Sequence, residues 1–418
     1  MAEKKIKDLT LWRWSYFLRS HSRESEKHKE EKHWKPICDI WFPAEEWLGK
    51  TKKTRDLISN RQTRHPLAIH GWTNLKDSDL QGSLGFYQML DTYFIRTGCM
   101  RKAIVEPNKI ADITSKECEL SPELSSHSWL GSRACISALL INDTPYDTAK
   151  EIANDLLTSW PGKKKDFELL EMDWGHLAIC SQEDIWLMLC YEDAKSKQLG
   201  ENLIFSVLPS LFLAQAKNKD QMKKWEETLY PEIQGVEKDL DEQLNRIWPQ
   251  TDCRREVKSL QKNALNKLED ATDTIACYQT QFAEKLSQGE ELLKTMQINT
   301  NNIKSLLNDP CLVSQQARLN DLLIVEYQHQ AGQVESDLAY MHITQTQSNR
   351  VLEGIDAMAR VRSGRWERRT TILLGLFVAL EIGQTFSEHW LKNPWERLGV
   401  IIFSACVIYL IMSRLSRK

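Results

Sequence analysis

The sequence predicts an α/β domain over residues 1–250, long helices after it, and a two-helix membrane hairpin at the C-terminus. Three observations carry this reading. Short β-like runs and helical segments alternate through the first 250 residues. Prolines nearly vanish after Pro249, with only Pro310 and Pro394 following. Two apolar stretches, 370–386 and 398–412, lie between groups of arginines.

Bulk composition bounds the rest. A chain of 418 residues is long enough for two or three domains. Its 27% charged residues suit a soluble protein over most of the length. With a net charge of -3, nothing in the total suggests a nucleic-acid binder or an acidic tail, and no duplex nucleic acid is expected as a partner. The opening MAEKKIKDLTLW has no apolar core of signal-peptide length, so the N-terminus is expected in the cytoplasm. Ten cysteines are scattered without a CxxC pair, and the closest are Cys180 and Cys190. That spacing fits reduced thiols in a cytosolic compartment better than disulfides or a zinc site.

In the first region the runs PICDIWF, HPLAIHGW, YFIRTGCM, KAIVE, ACISALLI, HLAIC and DIWLMLC read as strands. TAKEIANDLLTSW and SDLQGSLGFYQMLDTYF read as helices between them. Together they predict an α/β domain around one sheet, with the strand order open. The run ESEKHKEEKHWK is expected to be a solvated linker or helix face.

Residues 251–309 read as one or two amphipathic helices packing on a following stalk. A short break at NDPC precedes that stalk, placed at 315–369. A seam of threes and fours runs along it through Leu323, Tyr327, Ala331, Val334, Leu338, Met341, Leu352, Ile355 and Ala359. The spacing is close to a left-handed coiled coil, and polar Gln345 and Ser348 interrupt it. Leu338, Met341, Leu352 and Ile355 are the expected oligomer seam, although an antiparallel bundle has the same pattern over a few turns. Unbroken from Arg318 to Ser387, the rod would be on the order of 100 Å long at 1.5 Å per residue.

The two apolar stretches are short for membrane spans, which take about 20 residues, so buried core helices are the competing reading. Their flanks favour a membrane. Arg360, Arg362, Arg365, Arg368 and Arg369 precede the first, and Arg414, Arg417 and Lys418 follow the second. The positive-inside rule puts both ends in the cytoplasm. The boundaries are then a first span at 370–387, an external loop at 388–397, a second span at 398–413 and a basic tail at 414–418. Trp366, Trp390 and Trp395 fall at interfacial depths.

A mere anchor needs no polar residues at depth, yet the first span carries Thr371, Gly375, Glu381, Gln384 and Thr385. Positions 371, 375, 378, 382 and 385 share one side of a helix. Thr371, Gly375, Val378, Ile382 and Thr385 are therefore candidate pore-lining residues, with Glu381 at the edge of the stripe. A ring of carboxylates there would attract cations. Alternatively, Glu381 marks the outer end of the span in the headgroup region.

This layout resembles the CorA family of divalent-cation channels: a cytosolic α/β domain, a long stalk entering the first span, a short external loop, and a second span ending in basic residues. The resemblance rests on architecture over about residues 250–418, with the stalk text Gln347-Ser348-Asn349-Arg350-Val351-Leu352-Glu353 as a suggestive detail. It implies a homopentameric funnel around a central pore. The family's Gly-Met-Asn motif stands here as Gly383-Gln384-Thr385, matching only at the glycine. The resemblance makes those three the ion-selectivity loop, whose oxygens would meet a hydrated cation. Magnesium selectivity is in question, and zinc, cobalt or nickel are the other candidate ions. Some relatives in the wider superfamily are nucleotide-gated membrane effectors of bacterial antiviral defence, which is the second reading.

No enzyme is expected, and no cofactor is required. Ala44-Glu45-Glu46-Trp47-Leu48-Gly49-Lys50-Thr51 matches a relaxed phosphate-loop pattern, but two glutamates and a tryptophan there repel phosphate and crowd the turn. His70-Gly71-Trp72 and Trp174-Gly175-His176 could stack a nucleobase or simply turn the chain. The expected partners are further copies of the chain, the lipid bilayer and, in the second reading, a small nucleotide. The expected location is the bacterial inner membrane, with both termini cytoplasmic.

Overall fold

The structure is a computed structural model. It describes residues 4–18, 65–74, 79–89, 92–120, 129–141, 144–160, 166–180, 185–247 and 263–390, with single positions between 395 and 410. PICDIWF, the mixed-charge run and the 44–51 segment lie outside the described residues. The chain divides into two compact units. The first comprises residues 1–231 and 288–337; the second comprises 232–287 and 338–418.

The first unit is built on an eight-stranded sheet, ordered β2-β3-β4-β1-β5-β8-β7-β6. The strands are β1 Ile6–Leu18, β2 His65–Asn74, β3 Gln81–Met89, β4 Thr92–Val105, β5 Trp129–Leu140, β6 Glu168–Met172, β7 Gly175–Cys180 and β8 Ile185–Cys190. Strand β1 is central, antiparallel to both β4 and β5. The β5–β8 pair is parallel, and the connection between them carries a helix, as parallel pairing requires.

Alternation along β1 supplies both faces of this sheet. Leu9 and Leu11 enter one core, while Trp12, Trp14 and Tyr16 enter the other. The first core is covered by α1 (Ile110–Leu120) and α2 (Tyr146–Thr158), through residues such as Ile113, Ile152 and Leu156. The second core takes residues from α3 (Ala194–Asn202), α4 (Leu208–Lys224), the end of α6 (Asn263–Leu306), α7 (Gln316–Leu323) and the start of α8 (Val325–Trp390).

Two sequence expectations are corrected here. SDLQGSLGFYQMLDTYF, read as helical, forms β3 and the start of β4. Gly82 and Gly85 weaken any helix there, and the Tyr87 ring lies over Gly85, where an added Cβ would come within 2.5 Å of it. YFIRTGCM and KAIVE form one 14-residue strand, β4.

Helices α3, α4 and α5 (Tyr230–Ile247) are joined by π-helical turns at Leu203–Val207 and Trp225–Leu229. Each turn stands two residues before a proline, Pro209 and Pro231. Proline lacks an N–H and its ring crowds the carbonyl four residues earlier; one wider turn relieves both. Among the described residues one helix, Ala194–Leu244, is long and apolar enough to cross a membrane, but 67% of its apolar window is buried within the chain. That burial is what a core helix shows.

The second unit brings together α5, α6 and α8. Lys285 of α6 pairs with Glu232 of α5 at 2.6 Å, and Thr344 of α8 donates to Glu237 of α5 at 2.7 Å. Residues 251–309, read as one or two helices, hold the single 44-residue helix α6. The long helix expected from residue 315 begins at Val325, because Ile324 leaves regular helix (φ -111°) where Leu323, Ile324 and Tyr327 enter the sheet's second core. From Val325, α8 runs 66 residues without interruption to Trp390.

Candidate functional site

Every residue proposed to line an ion path belongs to α8. In the single chain Thr371, Val378 and Glu381 are exposed and Gly375 is half-buried. Ile382, Gly383, Gln384 and Thr385 share the same helix. The triplet Gly383-Gln384-Thr385, expected as a loop, is helical. No proline intervenes before Pro394, and a single glycine costs a helix only about 1 kcal/mol, too little to end one that would leave amides unpaired. Backbone carbonyls of the triplet are thus committed to the helix ladder.

The expected oligomer seam is also placed differently. Leu338 and Met341 are 3% and 4% exposed within one chain, and Ser348 between the later seam positions is fully buried. Gln279 of α6 donates to Ser348 Oγ at 3.0 Å. The seam is therefore filled here by the chain's own helices. Leu352 is half-buried, and Ile355 lies on α8 with its side chain outside the described ones. Tyr340 and Ile343, which no seam includes, are 74% and 54% exposed.

Sequence reasoning missed an acidic series on the same helix. Glu353, Glu367 and Glu381 are each separated by fourteen residues, which is two heptads. At 100° per residue they drift by about 40° per step, so they stay near one side of α8. Asp356 joins them at about 60° from Glu353. The spacing was legible in the sequence, but only the unbroken helix makes it a single face.

Two arginines of the first unit lie inside the core of its sheet. Arg96 and Arg133 flank Trp14 in neighbouring strands, and both are buried. The Arg96 guanidinium stands 4.6 Å from the Phe205 ring centroid, 5.2 Å from Tyr87 and 5.5 Å from Trp12. Such a cage offsets part of the cost of burying a cation. Trp174, a candidate base-stacking residue, is fully buried and donates its indole N–H to the Cys311 carbonyl at 2.7 Å. Its neighbour Gly175 has φ +145°, and an added Cβ would lie 1.9 Å from the Leu189 carbonyl oxygen. This cluster is a tight hairpin turn that docks inward. The side chains of His70 and Trp72 lie outside the described ones.

A polar cleft of about 380 Å³ opens beside α2, lined by Lys4, Lys5, Asn108, Asn154 and Thr158 among others. Lys4 there is already engaged by Asp155 and Glu151, which hold its ammonium above its usual pKa range. Among the described residues no three His, Cys, Asp or Glu side chains come together as a metal-binding group.

No family model matches this chain, and no curated protein matches its sequence.

Proposed function

We propose that this chain is one subunit of an oligomeric, CorA-like membrane channel that passes cations along a path lined by the stalk and first span. The observation that carries the proposal is the change of character along α8. It leaves a bundle that buries Leu338, Met341 and Ser348 and continues without a break into a stretch where Leu373 and Leu374 are 58% and 60% exposed. Ile402, Phe403, Tyr409 and Leu410 beyond it are 54–70% exposed. Apolar surface on this scale is covered by something, and flanking arginines and tryptophans make lipid the natural cover.

Within that reading, Thr371, Gly375, Val378, Ile382 and Thr385 face the path. Glu353, Glu367 and Glu381 repeat on a neighbouring side, and rings of such carboxylates favour cations over anions. In a helical triplet only Gln384 and Thr385 would have oxygens to offer, from their side chains rather than from free carbonyls, which weakens discrimination among Mg²⁺, Co²⁺, Ni²⁺ and Zn²⁺. Five copies, an inner-membrane location and cytoplasmic termini come from the family resemblance and the positive-inside pattern. Gating by a small nucleotide is the second form of this proposal; fully buried Trp174 is not available to stack the base. The test is flux into liposomes carrying the full-length protein and a metal-sensitive dye. Entry of at least one of the four cations is expected, and silence for all would refute conduction.

A further inference from the structure

The arginines before the apolar stretch do not surround α8 evenly. At 100° per residue, Arg362, Arg365 and Arg369 fall within about 60° of one another. Glu353, Asp356 and Glu367 fall on the opposite side, about 170° away from the arginines on average. The arginine side continues past residue 369 through Leu373, Leu376 and Leu380, with Leu373 58% exposed. The Thr371, Gly375 and Val378 positions lie well away from it. The arginine side of an unbroken helix thus gives way to leucine positions between residues 369 and 373, while the other side carries Glu353, Asp356 and Glu367 with Arg360 among them, and then small or hydroxylic positions.

We infer that the Arg362–Arg365–Arg369 face of α8 binds the phosphate headgroups of anionic phospholipids, with Leu373, Leu376 and Leu380 against their acyl chains. The inference rests on the proposed membrane hairpin and deepens it by assigning which side of the stalk helix faces lipid. Guanidinium is suited to the role because its planar fork donates two parallel hydrogen bonds to a phosphodiester and is always charged. A basic residue at an anionic membrane surface is worth about a fivefold gain in partitioning, so three favour anionic over zwitterionic lipid by about a hundredfold at most. Segregation of Glu353, Asp356 and Glu367 to the other side keeps carboxylates away from the headgroups.

The test begins with an alkaline carbonate wash of membranes carrying the full-length protein; release into the wash would overturn both the hairpin and this inference. Protein that stays is purified and incubated with equal amounts of phosphatidylglycerol and phosphatidylcholine, and retained lipids are counted by native mass spectrometry. Wild type should retain phosphatidylglycerol at least tenfold over phosphatidylcholine, and the combined Arg362→Gln, Arg365→Gln and Arg369→Gln variant should retain both about equally. Arg360→Gln, on the other side, should keep the preference, which guards against a general loss of folding. Millimolar inorganic phosphate should not displace the lipid; displacement would mean a free-phosphate site. Equal retention by wild type, or an undiminished preference in the triple variant, would overturn the lipid-facing assignment while leaving the hairpin in place.

Discussion

Gln279 of α6 donates a hydrogen bond to Ser348 Oγ of α8 across 3.0 Å, and the same hydroxyl donates to the Gln345 carbonyl at 2.9 Å. Ser348 is fully buried, so this polar pair fixes the register of two long helices inside one chain. Buried polar contacts of this kind specify alignment more than they add stability.

The pair separates two kinds of mutation on α8. Leu338→Asp places a carboxylate in the filled seam and should destabilise the protomer by roughly 3–5 kcal/mol, whatever its oligomeric state. Ser348→Ala should cost about 1 kcal/mol, because Gln279 loses an acceptor. Ile343→Glu alters an exposed position and should leave the melting temperature of a dissociated protomer unchanged while weakening assembly. Melting curves and size measurements in detergent distinguish these outcomes. An Ile343→Glu protein that assembles normally would remove that face from the oligomer contacts.

Trp174 ties the loop before α7 to the sheet through the Cys311 carbonyl. Trp174→Phe removes the donor and leaves a buried carbonyl and a void, for an expected loss of about 2–4 kcal/mol. Gly175→Ala should be worse, since any Cβ there meets the Leu189 carbonyl oxygen. Little folded protein is expected. Recovery of Gly175→Ala at wild-type yield and melting temperature would show that this turn is placed wrongly.

How much was legible beforehand divides along physical lines. Strands β5, β7 and β8 announce themselves as apolar runs because both their faces are buried. The helix at Tyr146–Thr158 shows its 3.6-residue period plainly. Strand β1 was missed although it is central: Lys7, Arg13 and Ser15 break its apolar run, and a bulge at Asp8, with φ 52°, interrupts the alternation. Strand β3 looked helical because Leu80, Leu84 and Tyr87 recur at threes and fours. Two glycines were the contrary signal. On α8, the seam period was readable, but a period alone cannot say whether the partner is another copy or the chain's own α6.

His176 gives the first unit a pH dependence. It is 1% exposed, stands between the rings of Tyr146 and Tyr191, and its Nδ1 has no hydrogen-bond partner among the described residues. Burial pushes its pKa below the usual histidine range, and Glu171, its cross-strand neighbour, offsets this only in part. The unfolded chain therefore takes up the proton first. Stability should be full above about pH 6.5 and decline as pH falls below it, toward the lowered folded-state value. Urea midpoints of the full-length protein at pH 5 to 8 would show the slope, and His176→Phe should flatten it. An equal slope in that variant would assign the effect to another group.

The central claim is that residues 370–412 cross a bilayer twice and gather with other copies around an ion path. Single-particle imaging of the full-length protein in lipid nanodiscs tests it most directly. Viewed down the axis, the account predicts a symmetric ring in which each subunit contributes two helices through the disc, the first of them inner and continuous with α8. A lone protomer, or particles that sit outside the disc, would contradict it.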